Sequence, residues 1–146
     1  MAYLEVKNKT TDEYRQIFIE TYCDHKKPIY TFDNIHVRFF PDMFDHSFYE
    51  SANWKAKDKS VFSLVRAEKI LWIKDALQDN SAKLKIGWDS SSKNYDKSRR
   101  VAIVKNNYVV IIWLKNEKEA KFITAFEADN SIGSIMNSPD WTGFKK

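Results

Sequence analysis

The chain has few of the residues on which several common kinds of site depend. Its 146 residues include one cysteine, three glycines and three prolines. A lone cysteine, Cys23, can form neither an intrachain disulfide nor a thiolate zinc cluster. Three glycines cannot build a phosphate loop of the Walker or dinucleotide type. We therefore expect no nucleotide cofactor, and a reducing compartment, the cytoplasm.

Long apolar runs are also missing. The richest one, residues 101–114, is interrupted at 105–107 by a lysine and two asparagines, so it falls short of the ~18 to 20 apolar residues of a membrane span. The first ten residues mix Glu5, Lys7 and Lys9 with isolated apolar residues, unlike a secretory signal. The sequence therefore predicts a soluble, cytoplasmic protein without a membrane partner.

The composition that remains is that of an ordered globular protein. Hydrophobic residues make up 43% of the chain, charged residues 30% and aromatic residues 15%. This predicts one domain over residues 1–146, with a core at about 11–127 and a tail, 128–146, that docks on it. The net charge of +4 favours a polyanionic partner weakly.

The first half of the chain carries helical signals. Thr10 and the residues after it provide N-cap candidates for a helix at about 11–23. Residues 29–32 and 35–40 flank Asp33-Asn34 and predict a short hairpin or two extended segments. Residues 42–59 predict an irregular segment that packs through Phe44, Phe48 and Trp54.

Residues 60–78 predict one longer helix that Ser60 can cap. Its apolar residues cover about half of the helix circumference, and two cations, Arg66 and Lys69, fall inside that arc. Arg66 is in line with Phe62 and Ile70. A long cation on a buried stripe indicates either a structural ion pair or an anion-binding site.

The second half predicts strands, at 83–88, 99–105, 108–114 and 121–127. A two-residue turn at Asn106-Asn107 would pair Lys105 with Tyr108 and Arg100 with Trp113. The expected fold class is α+β, with N-terminal helices followed by an antiparallel four-stranded β-meander. Apolar residues of the tail should contact the body of the domain, namely Ile132, Ile135, Met136 and Trp141.

The histidines are spaced too widely to predict a metal site. His25, His36 and His46 come at intervals of eleven and ten residues, without the spacing of paired ligands on one helix. Cys23 lies near His25, a combination that suggests a nucleophilic thiol. A free structural cysteine is the favoured interpretation. His46, in Asp45-His46-Ser47, is either a surface or capping residue or a proton shuttle at neutral pH.

Thr124 lies between two phenylalanines of the last strand and shares a face with Phe122 and Phe126 by period two. Its hydroxyl is either an ordinary feature of a strand or a donor to an anionic ligand. On the neighbouring strand Arg99 and Arg100 must face opposite sides, and the sequence leaves open which side is accessible.

The order of these elements resembles that of a known family. The chain has an N-terminal helix, the segment Phe44-Asp45-His46-Ser47-Phe48, a helix with the segment Arg66-Ala67-Glu68-Lys69-Ile70-Leu71-Trp72-Ile73, and the final strand Phe122-Ile123-Thr124-Ala125-Phe126. This order is similar to that of the barnase, EndoU, colicin and RelE-like (BECR) ribonucleases. The resemblance is to the small phage- and mobile-element-associated branch and covers about residues 29–127.

The resemblance implies toxin-like, metal-independent cleavage of RNA. The ribose 2′-hydroxyl would attack the adjacent phosphate and leave a cyclic phosphate end, without a cofactor. His46 would be the general base or acid, Arg66 the phosphate clamp, and Thr124 a donor to a nonbridging oxygen. Substrate contacts would come from further cations and rings, namely Arg100, Lys105, Tyr95 and Tyr108.

Two other interpretations stay open. The first is a noncatalytic interaction module of the immunity or antitoxin kind, which would bind a protein partner or inhibitor through exposed aromatic residues. Candidates for that surface are Phe39, Phe40, Trp54, Trp88 and Trp141. The second is a noncatalytic RNA-binding domain, whose affinity for RNA would fall with salt and survive the loss of His46.

Overall fold

A computed structural model describes residues 5–24, 26–50, 61–89, 93–104, 107–128 and 132–141. The helices within these ranges are α1 (Thr11–Tyr22), α2 (Met43–Phe48), α3 (Leu64–Glu68), α4 (Trp72–Leu77) and α5 (Ile132–Met136). The strands are β1 (Ile29–Tyr30), β2 (His36–Arg38), β3 (Tyr49–Glu50), β4 (Val61–Phe62), β5 (Lys83–Asp89), β6 (Asn94–Val104), β7 (Tyr108–Leu114) and β8 (Glu119–Glu127). The α+β class is therefore confirmed. None of the described helices is long and apolar enough to cross a membrane.

The main sheet is larger than the four-stranded meander expected from the sequence. It has six strands in the order β1-β2-β8-β7-β6-β5. Strands β5 to β8 pair antiparallel in chain order, but β2 pairs parallel to β8 and β1 pairs antiparallel to β2. The sheet is therefore mixed, because the hairpin near residue 30 extends the edge of β8. A second sheet joins β3 to β4.

Helix α1 forms where its capping signals predict it. The Thr10 side chain accepts a hydrogen bond from the backbone N–H of Glu13, and the Glu13 carboxylate accepts one from the backbone N–H of Thr10. Two of the free N–H groups at the helix start are thereby satisfied. Tyr14, Phe18 and Tyr22, spaced four residues apart, are buried against the sheet.

The single helix predicted over 60–78 is wrong. Residues Val61–Phe62 form β4, Ser63 caps α3, and the helix breaks between Glu68 and Trp72. Tyr22 stabilises the break, because its hydroxyl donates to the Ile70 carbonyl at 2.6 Å and accepts from the Lys74 N–H at 3.0 Å. Ile70 is buried as predicted, whereas Val65 is exposed.

The segment predicted as irregular over 42–59 contains helix α2 and strand β3. Phe44 and Phe48 are buried in the core, as expected, and Trp54 lies outside the described residues. The larger core lies between helices α1–α4 and one face of the main sheet. We call this core the inner core and this side of the sheet the inner face. The sheet residues in the inner core include Ile112, Leu114 and Phe122.

The opposite, outer face of the sheet is partly covered by α5. Val101, Val109 and Ala128 are buried there, and the α5 residues Ile132, Ile135 and Met136 pack on them. Trp141 packs instead against the inner core. It reaches that core along the edge of β5, where Trp141 N donates to the Leu84 carbonyl and Ile86 N donates to the Pro139 carbonyl, both at 2.9 Å.

The predicted register of β6 against β7 is wrong by one residue. Val104 pairs with Tyr108 and Arg100 pairs with Ile112, so the connection holds three residues instead of two. Because side chains alternate between faces, this shift decides which arginine points into the protein. Arg100 lies on the inner face with Ile112, and Arg99 lies on the outer face with Trp113.

Candidate functional site

The candidate site lies at the part of the β8 edge that β2 leaves uncovered. Strand β2 pairs with β8 only over Glu119–Lys121, and farther along the strand α2 and α3 pack beside β8 instead. We call the contacts among Ser47 of α2, Arg66 of α3, and Ile123 and Phe126 of β8 the β8-edge site.

Arg66 is held at this edge by its own helix and by α2. Ser63 caps α3, and its hydroxyl accepts a hydrogen bond from the Arg66 backbone N–H at 3.3 Å. The guanidinium Nη1 donates to the Ser47 carbonyl at 3.0 Å, and Cζ lies 5.9 Å from the centre of the Phe126 ring. The half-buried guanidinium is therefore directed toward β8, with a planar fork of donors suited to phosphate.

Helix α2 brings His46 to the same place. The buried Ser47 side chain donates to the Ile123 carbonyl at 3.5 Å, which ties α2 to β8. His46 precedes Ser47 in α2, and its side chain lies outside the described residues. The backbone position of His46 is thus next to the carbonyl that Arg66 contacts.

Thr124 lies on the other side of a β-bulge from Phe122. Ile111 pairs with Thr124, while Ile112 pairs with Phe122, so Ile123 is an extra residue in β8. The prediction that Thr124 shares a face with both Phe122 and Phe126 is therefore wrong. Phe122 is in the inner core, whereas Phe126 packs on the outer face. Thr124 also lies on the outer face, because it pairs with Ile111.

The two cations of the predicted apolar arc have different surroundings. Lys69, whose side chain is 11% exposed, lies 3.5 Å from the carboxylates of Glu5 and Glu127 and 5.2 Å from the centre of the Trp72 ring. The pKa of Glu5 is lowered by its hydrogen bond to Lys7 and by the charge of Lys69. Lys69 thus forms a structural ion cluster, whereas Arg66 contacts a carbonyl beside His46.

The structure does not bring Arg100 to the β8-edge site. The Arg100 side chain is 2% exposed, and its Nη1 lies 3.2 Å from Asp33. The rings of Phe32 and Trp141 lie 5.6 and 4.9 Å from its Cζ. Burial lowers the pKa of Arg100, and the Asp33 charge opposes that change. The resemblance implies that Arg100 contacts substrate, but the observed register places Arg100 on the inner face with Ile112.

Tyr108 is also in the inner core, packed edge-on against Trp72 at 5.2 Å between ring centres. This buried ring has no open face on which a base could stack. Two other residues are expected to contact substrate. The backbone of Tyr95 in β6 pairs with that of Trp88 in β5, but the Tyr95 side chain lies outside the described residues. Lys105 lies outside them as well.

The thiol of Cys23 is not activated. Burial, with a smaller effect from Asp42, raises its pKa to about 11, so the unreactive thiol form predominates at neutral pH. This agrees with the structural interpretation of Cys23; His25 lies outside the described residues. No group of three or more histidine, cysteine, aspartate and glutamate side chains in the described ranges could hold a metal ion.

A groove of about 790 Å³ lies beside the β8-edge site, at the start of α2. Its lining includes Phe40, Asp42, Met43, Lys121 and Ile123. Ile123 thus belongs to both the groove and the site. Sequence reasoning did not identify this groove, because it forms where β2 diverges from β8, and the parallel pairing of these strands was not predicted.

No protein-family profile, curated protein or solved structure matches the chain.

Proposed function

We propose that the protein is a metal-independent endoribonuclease that acts at the β8-edge site, in the cytoplasm. The ribose 2′-hydroxyl would attack the adjacent phosphate and leave a cyclic phosphate end. The observation that carries the proposal is the contact of the Arg66 guanidinium with the Ser47 carbonyl, directly after His46 and above the ring of Phe126, two residues beyond Thr124. Three residues chosen for their chemistry thus belong to segments that meet at one edge.

The roles follow from what the reaction requires. A proton must leave the attacking hydroxyl, another must reach the leaving oxygen, and the phosphorane must be stabilised by positive charge and hydrogen-bond donors. His46 is the proposed general base or acid, because an imidazole exchanges protons near neutral pH. Arg66 is the proposed phosphate clamp, and Thr124 the proposed donor to a nonbridging oxygen.

The proposal includes a relationship to the BECR ribonucleases of phage and mobile elements. The helices that precede the antiparallel unit β5–β8, with Thr124 on its last strand, support that relationship. The additional strands β1 and β2 depart from the expected four-stranded pattern. Tyr95 and Lys105 remain proposed substrate contacts, and the buried Arg100 and Tyr108 are not included among them.

The first experiment is incubation of the purified protein with total RNA in EDTA, followed by analysis of the product ends. We expect cyclic phosphate ends from the unmodified protein. His46→Ala should lower the cleavage rate by about 10²-fold or more, because it removes proton transfer. Arg66→Ala should abolish cleavage while the circular dichroism spectrum of the fold persists.

Two variants serve as matched controls. Lys118→Ala removes an exposed cation of the β7–β8 connection, and Lys74→Ala removes an exposed cation of α4. Both should cleave at the normal rate. Intact RNA with the unmodified protein would overturn the proposal. An unchanged cleavage rate in His46→Ala would overturn the proposed role of His46.

A further inference from the structure

The strand register aligns four side chains in one row across the outer face of the sheet. Arg99 of β6 pairs with Trp113 of β7, Trp113 pairs with Lys121 of β8, and Lys121 pairs with Arg38 of β2. Directly paired residues lie on the same face of a sheet. These residues, which we call the outer row, therefore place three cations beside one tryptophan.

The outer row is accessible. The Trp113 side chain is 41% exposed, that of Arg38 is 53% exposed, and Lys121 is exposed. Helix α5 covers a different part of the outer face, around Val101 and Val109.

The side chain of Arg99 packs over a glycine of the neighbouring strand, Gly87. A Cβ placed on Gly87 would lie 2.8 Å from the Cβ of Arg99 and 3.3 Å from its Cδ. The stem of Arg99 therefore runs across the bare backbone of Gly87 at this end of the row.

Positive charge dominates the other end of the row. Glu119 lies 3.4 Å from Arg38 and 4.0 Å from Lys115, so its charge is balanced by two cations. Lys121 has no ion pair with a described residue. A row of cations with little opposing charge is complementary to a chain of phosphates.

Two further exposed aromatic rings lie near the row: Tyr30 shares the outer face through its pairing with His36, and Phe40 lines the groove with Lys121. Phe40, which follows β2, is 43% exposed, and Tyr30, stacked on His36 with 5.1 Å between ring centres, is 44% exposed. Exposed rings alternating with cations are the features of surfaces that bind single-stranded nucleic acid by stacking bases and contacting phosphates. The groove beside α2 opens between Phe40 and Lys121 and has room for a base.

We propose that the outer row and this groove bind single-stranded RNA. Trp113 stacks on one base, Lys121 and its neighbouring arginines contact phosphates, and Phe40 stacks on a second base in the groove. Asp42 in the groove accepts a hydrogen bond from the amino group of that base. The choice of RNA rests on the proposed function, because Lys121 and Thr124 lie on the outer face of the same strand, on either side of the bulge at Ile123.

The test is binding of a short 2′-O-methyl RNA, measured by fluorescence anisotropy. This probe cannot be cleaved through its 2′-hydroxyl, so binding is measured independently of catalysis. Trp113→Ala should weaken binding by about 5- to 150-fold, the range expected for the loss of one stacked base. Trp113→Phe should restore most of the affinity, because it restores a ring.

Charge and base accessibility are tested separately. Lys121→Ala should reduce the salt dependence of log Kd by roughly 0.7, the value for one phosphate contact on a single strand. Lys118→Ala, with the same charge change on the β7–β8 connection, should have little effect. A duplex of the same sequence should bind more weakly than the single strand, because its bases are not available for stacking.

The outcomes distinguish this proposal from the nuclease proposal. Binding that requires Trp113 and Lys121 but persists in His46→Ala supports the RNA platform, even if the unmodified protein leaves RNA intact. No binding by the unmodified protein would overturn the platform, and so would equal losses in Lys121→Ala and Lys118→Ala.

Discussion

At the scale of single residues, the surroundings of each cation decide its role. Lys69 is paired with two carboxylates, Arg100 with one carboxylate and two aromatic rings, and Arg66 contacts the Ser47 carbonyl. All three are long cations in largely apolar stretches of sequence. Sequence patterning could flag Arg66 and Lys69 as unusual, but it could not supply their partners, which come from distant segments.

The Asp33–Arg100 pair should be important for stability. Asp33→Asn leaves a buried guanidinium without its counter-charge, and Arg100 Nε already has no hydrogen-bond partner within the described residues. We expect the free energy of unfolding to fall by about 2 to 4 kcal/mol, measured by urea denaturation. Glu117→Gln, at an exposed position of the β7–β8 connection, is the control. A loss of similar size in the control would contradict this role for Asp33.

Two weak acids, the half-buried Cys23 and the buried Tyr22, should make the fold sensitive to alkaline pH. Burial raises the pKa of the Cys23 thiol from 9.0 to about 11 and also raises the pKa of the Tyr22 hydroxyl. The folded state therefore retains protons that the unfolded chain releases, so stability is full below pH 9 and declines above it. Urea denaturation between pH 9 and 11 should show this decline.

Replacing the thiol gives the matched comparison. Cys23→Ala removes one of the two groups, so its free energy of unfolding should fall less steeply over the same pH interval. An identical pH dependence in the two proteins would show that the Cys23 thiol does not contribute.

At the scale of elements, local signals predicted α1 and the strands β5 to β8 well. The Thr10 cap and the period of Tyr14 and Phe18 are encoded within one segment. The break at 69–71 has no local signal, because the hydroxyl that stabilises it belongs to Tyr22. The bulge at Ile123 departs from the strict alternation that the sequence of β8 suggests. These features depend on contacts between segments, which a local pattern does not contain.

The capping box of α1 gives a prediction at this scale. Thr10→Ala removes the acceptor for the Glu13 N–H and should lower the free energy of unfolding by about 1 kcal/mol. Thr10→Ser retains the hydroxyl and should cost much less. Thermal and urea denaturation of the three proteins would check this order, and equal stability of all three would contradict it.

At the scale of the whole molecule, the segment 139–141 connects the end of the described chain to its centre. It bonds to β5 through two backbone hydrogen bonds and a contact of 2.6 Å between Lys85 and Asp140. Through Trp141 it also covers Arg100 in the inner core. The lysine lowers the pKa of the Asp140 carboxyl, which favours the charged contact at neutral pH.

Two tryptophans should therefore differ in their effect on stability. Trp141→Ala removes a ring packed on the inner core and should lower the free energy of unfolding by about 2 to 4 kcal/mol. Trp113→Ala removes an exposed ring and should stay within about 0.5 kcal/mol of the unmodified protein. Urea denaturation of both variants would test this, and equal losses would contradict the described burial.

The parallel pairing of β2 with β8 also has a consequence for how the chain folds. His36 pairs with Glu119, and Val37 pairs with Ala120. A strand from the first third of the sequence therefore cannot pair until a strand from the last third has been synthesised. During synthesis, the aromatic side chains of α1 and α2 cannot pack against β8 until that strand has left the ribosome. Long-range closure of this kind slows folding, and the exposed rings of a partly made chain favour aggregation. The yield of folded protein in cells should therefore depend on how fast the ribosome translates the residues before Glu119.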